Sequence, residues 1–452
     1  FLVEVQESAV KPIEPVFLDY QKDMSQLKAK SDIPVLYKQN VANDLFQLIY
    51  VFDMGNNHDK ALGTAFDYLE YLGTSDMTPE ELKSEFYRLA CTFYVSPGNE
   101  RTYVVLSGLN ENMPAAVQLF EKLLADAQVN KEAYTNMTSD ILKARSDAKL
   151  NQGQNFSRLM SFAMYGPKSP ATNLLTEAEL TNMNPQELVD RIHNQNSYKH
   201  RILYYGPSSS KDLLATINQY HQVPATLKDI PAGNEYAYLE TPVTKVLVAP
   251  YDAKQIYMAQ ISNLDKKYDP AIEPIRALYD EYFGGGMNSI VFQEMRETRG
   301  LAYSAWASIM PPSYLKYPYV LRTQIATQND KMIDAVTTFN DIINNMPESE
   351  AAFKLAKDGL TNRLRTERII KGDIIWSYIN AQDLGQNVDP RIKLYNDIQN
   401  MSLKDIVDFQ KQWVKGRTYV YCILGDKKDL ELDKLKAVGP IEELTQEQIF
   451  GY

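Results

Sequence analysis

Apolar and polar residues follow one another along this chain in two rhythms, and each change of rhythm marks an element. Leu45 to Asp53 is nearly continuous in apolar residues, which predicts a buried strand. Lys60 to Tyr71 carries a helical period closed by Gly73. Thr78-Pro79-Glu80-Glu81 is a capping box with proline at the first helical position, followed by Leu82, Phe86 and Leu89 on one face. Thr92–Val95 and Arg101–Leu106 flank a Ser96-Pro97-Gly98-Asn99 turn and predict a hairpin. Pro114 to Ala127 reads as a further amphipathic helix. Residues 1–32, in contrast, hold Pro12, Pro15 and mixed charge without a sustained period, as a lead-in or linker would.

The second half repeats this order. Leu69-Glu70-Tyr71-Leu72-Gly73 aligns with Asp280-Glu281-Tyr282-Phe283-Gly284, and Asn182-Met183 with Asn400-Met401. Gly206, after the strand Arg201–Tyr205, aligns with Gly425, after Thr418–Leu424. Anchors at a nearly constant offset indicate an internal duplication. Pro231, Gly233 and Pro242 break the pattern between the copies, so the domains are expected at 33–240 and 241–452. Hairpin-like strand pairs with helices grouped between them predict an α+β class: two homologous domains, each an antiparallel or mixed sheet covered by helices. No glycine fingerprint follows a strand, which argues against a doubly wound nucleotide fold.

Tyr282 to Ile309 is the stretch richest in chemistry. Gly284-Gly285-Gly286 ends one helix, Asn288 or Ser289 can cap the next, Gly300 stops it, and Leu301–Ile309 alternates like a strand. Arg296 falls in the last turn of the second helix and Tyr303 at the head of the strand, so both can reach one space. The simpler roles stay open: Arg296 complementing the helix dipole, Tyr303 packing in a strand, the glycines forming a tight turn or cradling an anion.

Composition narrows the function classes. A net charge of −11 argues against general affinity for nucleic acid. The nearest basic run, Arg363, Arg365 and Arg368, reads as the solvated face of a helix. No run of 18 apolar residues is present, so no membrane-spanning helix is expected. The chain starts at Phe1 without a leader pattern and is expected to be a fragment or processed product. Cys91 and Cys422 lack C-x-x-C spacing and read as buried thiols, which leaves the compartment open. Trp306, Trp376 and Trp413 read as core or wall aromatics, and His58, His193, His200 and His221 as scattered surface or partly buried histidines without ligand spacing.

The run Glu294-Met295-Arg296-Glu297-Thr298-Arg299-Gly300-Leu301-Ala302-Tyr303 resembles the arginine/tyrosine segment of pitrilysin-type zinc peptidases, the inverzincin family. That family binds zinc through H-x-x-E-H on a helix shortly before a Gly-Thr pair. Counted back from Gly73-Thr74, those positions here hold Thr64, Asp67 and Tyr68, with no imidazole. The resemblance therefore implies the C-terminal, zinc-free half of such an enzyme, with no metal or other cofactor in this chain and zinc in a partner half. That partner, upstream in the same polypeptide or a separate subunit, would bear H-x-x-E-H, and the isolated chain would be inactive. Arg296 and Tyr303 would then contact a peptide substrate and take part in catalysis. A non-catalytic scaffold or peptide-binding subunit of the same fold is the alternative.

Overall fold

The structure is a computed structural model that describes residues 13–253 and 255–452. It contains two six-stranded mixed sheets. The first runs in the order β1 (Ser25–Lys28), β2 (Pro34–Gln39), β6 (Arg201–Gly206), β3 (Leu45–Phe52), β5 (Thr102–Leu109), β4 (Cys91–Pro97). The second runs β12 (Ile441–Glu443), β7 (Lys245–Pro250), β11 (Val420–Gly425), β8 (Gln255–Lys267), β10 (Pro318–Gln328), β9 (Ser304–Met310). Five neighbouring strands repeat the same connectivity. β2 runs parallel to β6 as β7 does to β11, and the rest of each run is antiparallel. The two Gly-terminated strands, ending at Gly206 and Gly425, hold equivalent places in the two sheets.

Local chemistry sets the element ends. Thr78 and Glu81 form the expected reciprocal cap on the Pro79–Arg88 helix. Ser289 rather than Asn288 caps the helix at Ile290, its hydroxyl accepting from the Phe292 amide at 3.4 Å. β3 is apolar from Leu48 onward because both of its faces are covered there. Leu48, Tyr50 and Phe52 enter the first domain's own core, while Ile49 and Val51 pack with Ile374, Ile375 and Ile379 from the Asp373–Asp383 helix. The second sheet receives the reciprocal cover. Phe156 and Leu159, on the Gln152–Tyr165 helix, pack with Leu247, Ala259 and Leu424. Each sheet thus has a helix of the other half of the chain on its outer face, which ties the halves together by apolar burial.

The hairpin turns also meet. Arg101, between β4 and β5, makes a bidentate pair with Asp383 at 2.5 and 2.6 Å. Its neighbour Glu100 accepts from the Tyr317 hydroxyl and the Lys316 ammonium, both at 3.0 Å and both between β9 and β10.

Four expectations need correction. The lead-in is folded from Tyr20 onward, because Ser25–Lys28 pairs with β2 and Tyr20 is buried; residues 1–12, including Pro12, lie outside the described residues. The strand expected from Leu301 begins only at Ser304. Arg368 lies beyond the helix carrying Arg363 and Arg365, which ends at Thr366. His200 and His221 are neither scattered nor at the surface: both are buried, with their Nε2 atoms 2.8 Å apart. Cys91 and Cys422 are buried thiols, and among the described residues no helix is long and apolar enough to cross a membrane.

Candidate functional site

Arg296 and Tyr303 project from a helix–loop–strand unit at the edge of the second sheet. Ile290, Val291, Met295 and Ala302 are buried and anchor it. The second helix is not the regular α-helix that the spacing predicted. After one α-turn, Gln293–Thr298 winds as a π-helix, a widened turn that recurs at functional sites. It closes with Gly300 N donating to Arg296 O at 3.1 Å and Leu301 N to Met295 O at 2.9 Å. Gly300 sits at φ +57°, the left-handed conformation that glycine adopts without a Cβ penalty. The loop is then tied to β10 and the helix after it. Lys331 Nζ donates to Gly300 O at 3.0 Å, Thr327 Oγ1 to Leu301 O at 2.5 Å, and Tyr303 N to Ala326 O at 2.9 Å.

This framework holds two exposed side chains together. The Arg296 guanidinium carbon is 5.0 Å from the Phe292 ring centroid and 5.8 Å from that of Tyr303, so the cation is within cation–π range of both rings. Tyr303 is 74% exposed although its backbone is fixed. Arg296 meets the Glu297 carboxylate at 3.7 Å, beyond hydrogen-bond distance, which leaves its donor fork open to solvent. A phenol donor and a guanidinium fork therefore share one surface, the combination suited to carbonyl or oxyanion oxygens.

The degenerate motif is a different kind of place. Thr64, Asp67 and Tyr68 lie on the Leu62–Leu69 helix, as spacing predicted, but Tyr68 is fully buried. Its hydroxyl donates to Asn130 O at 2.6 Å and accepts from Asn130 N at 2.8 Å, fixing the residue that caps the Lys131–Lys149 helix. A position that would hold a zinc ligand in the motif here does structural work. Asp67 is exposed and Thr64 half-buried. Among the described residues no three His, Cys, Asp or Glu side chains converge to hold a metal.

The chain has relatives among known proteins. Residues 202–360 match the family model described as the peptidase M16 inactive domain. The chain thus carries a segment similar to the inactive domain of pitrilysin-type M16 peptidases. It is 23% identical over 422 residues to a protein of Helicobacter pylori named "Non-peptidase homolog YmxG", covering 88% of this chain and 93% of that one. Among solved structures it is similar to the peptidase M16 inactive domain from Pseudomonas fluorescens, with TM-score 0.69, 15% identity and coverage of 89% and 98%. It is also similar to the periplasmic protease PqqL from Escherichia coli, with TM-score 0.70 and 13% identity. That match takes in 93% of this chain but 48% of PqqL, so the chain spans about half of that protein. The two-domain α+β fold of these structures is the fold described above.

Proposed function

We propose that this chain, read as two domains that meet near residue 240, is the zinc-free half of a pitrilysin-like metallopeptidase. It closes over a partner half that carries H-x-x-E-H and zinc. When bound in that half, the metal supplies the activated water that attacks a peptide carbonyl. This chain's contribution is to meet the charge that develops on the carbonyl oxygen. Tyr303, held by its backbone and exposed at its hydroxyl, donates to that oxygen. Arg296 presents its fork to neighbouring substrate carbonyls. The observation that carries this reading is the Arg296 cation held near the Phe292 and Tyr303 rings on a π-helical turn, with both Arg296 and Tyr303 exposed. The zinc-bearing half, mixed with wild-type chain and with Tyr303→Phe, provides the test.

The second reading, a non-catalytic scaffold or peptide-binding subunit, draws on the relative from Helicobacter pylori, which this chain matches over 93% of its length and whose name denies it peptidase activity. Under that reading Arg296 and Tyr303 contact a peptide without contributing to its cleavage, and a mixture of the two halves gains no turnover from them.

A further inference from the structure

Beneath the first sheet, far in sequence from Arg296 and Tyr303, three titratable side chains form a buried line. Glu121 Oε1 lies 2.6 Å from His221 Nδ1, His221 Nε2 lies 2.8 Å from His200 Nε2, and His200 Nδ1 lies 2.7 Å from the Tyr198 carbonyl. All three side chains are at least nine-tenths buried. Tyr50 packs on His221 with ring centroids 4.4 Å apart, and its own hydroxyl is buried without a partner; Phe52 packs on His200 at 4.6 Å.

The geometry fixes the proton count. A carbonyl only accepts, so His200 carries its proton on Nδ1 and a neutral His200 offers a lone pair at Nε2. His221 Nε2 must then be the donor. One proton therefore lies on the remaining line between His221 Nδ1 and Glu121, whichever atom holds it. The other carboxylate oxygen accepts from Asn196 Nδ2 and the Gln222 amide, both at 2.9 Å. With this count the trio is neutral overall and every bond in the line is made. A second proton would place N–H against N–H between the histidines and leave a net positive charge in the core.

His200 is also the point where this line reaches a cavity of about 980 Å³ between the two domains. The cavity wall is stitched across two segments: Lys199 N donates to Lys228 O at 2.9 Å, and Lys228 N to Ser197 O at 2.8 Å. The charged groups that line this cavity with His200 are Asp32, Asp53, Lys199, Arg201, Asp229 and Asp383; from the core side, Tyr50 packs on the line.

We propose that Glu121, His221 and His200 are a one-proton latch that holds the cavity wall, residues 197–201 with 225–230, to the first domain's core, and that uptake of a second proton releases this wall. Burial, reinforced by His221, pushes the His200 imidazole down to about 3, so protonation takes place through opening rather than in the closed state. The device is independent of the catalytic reading.

The test is amide hydrogen exchange on the whole chain between pH 7 and pH 4, corrected for intrinsic exchange. Because opening takes up one proton, protection of the Lys199 and Lys228 amides that stitch the wall should fall about tenfold per pH unit below roughly 6.5, and β11 should not follow. His200→Gln, which stays neutral, should abolish that slope. Should this variant misfold, imidazole nitrogen spectra of the wild type decide, with His200 expected as the Nδ1–H tautomer alone. An unchanged slope in His200→Gln, an Nε2–H tautomer at His200, or one tightly bound metal ion per chain on these nitrogens would overturn the proposal.

Discussion

The outer edges of the two sheets, β4 and β9, occupy equivalent positions and are finished in opposite ways. In each hairpin the closing bonds show which residues face inward. Gly98 N donates to Arg101 O and Leu109 N to Ala90 O, so even-numbered residues of β4 pair with β5, while Phe93 and Val95 turn their amides outward. In β9 the outward amides belong to Ala307 and Ile309, and there they are met. Gly284 O accepts from Ala307 N at 3.4 Å, Asp280 Oδ1 accepts from Ile309 N at 2.9 Å, and Arg276 donates to Ile309 O at 3.1 Å. A Cβ on Gly284 would lie 2.2 Å from Ala307 O, so the helix end approaches β9 only as glycine. In the repeat, Asp280 aligns with Leu69 and Gly284 with Gly73. The first domain therefore lacks the carboxylate that would seal β4, and Phe93 and Val95 are half-buried where Ala305, Ala307 and Ile309 are buried. One duplicated scaffold supports a closed edge next to Arg296 and Tyr303, and an open one next to the degenerate motif.

The largest effect expected from breaking this contrast is at Asp280. Its carboxylate also accepts from Arg276 at 2.7 Å and from the Ser308 hydroxyl at 2.9 Å. Asp280→Ala leaves a buried guanidinium and a buried amide short of partners, and should cost about 3 to 5 kcal/mol in denaturant unfolding. Leu69→Ala would remove apolar packing only, without opening a hydrogen-bonded edge.

Paired prolines compare the edges themselves. Ala307→Pro removes an amide that the second domain uses and should cost roughly 3 kcal/mol, whereas Val95→Pro removes an outward amide of an edge strand and should cost about 1 kcal/mol or less. Equal losses in the two variants would show that β4 is covered after all.

Acid gives a smaller effect, opposite in sign in the two domains. His200 is pushed down to about 3 from 6.5 by burial, so the unfolded chain binds more protons in that window and stability falls as pH drops through it. Asp280 is pushed up to about 6 from 3.8 by burial, against the pull of Arg276, so its contribution falls as pH rises through that range. Each slope is at most roughly 1.4 kcal/mol per pH unit. His200→Gln should therefore flatten the acid loss, and Asp280→Asn should steepen it, when midpoints are followed from pH 4 to pH 6.5.

Local signals in the sequence carried much of this structure. The Thr78 cap, the β4–β5 turn and the apolar run of β3 each depend on neighbours within a few residues, and the glycine anchors revealed the repeat. Arg296 and Tyr303 were visible through their spacing, but the π-helical turn between them was not, because its widened winding is set by the buried Met295 and the loop ties to Thr327 and Lys331. The Glu121–His221–His200 line left no sequence signal at all. Its members come together only when the Met113–Asp126 helix, β6 and the end of the Ser210–Tyr220 helix pack. β1 was missed because four residues of mixed polarity show no period on their own.

Turnover of Tyr303→Phe, mixed with a zinc-bearing half, tests the catalytic role proposed for Tyr303 most directly. The ring and its contact with Arg296 survive the substitution and only the hydroxyl donor is lost. With a zinc-bearing H-x-x-E-H half at saturating peptide, kcat should fall on the order of 100- to 1000-fold, about 3 to 4 kcal/mol, with assembly and folding unchanged. Near-wild-type kcat in a folded, assembled Tyr303→Phe sample would contradict it and leave the tyrosine a wall residue of a non-catalytic subunit.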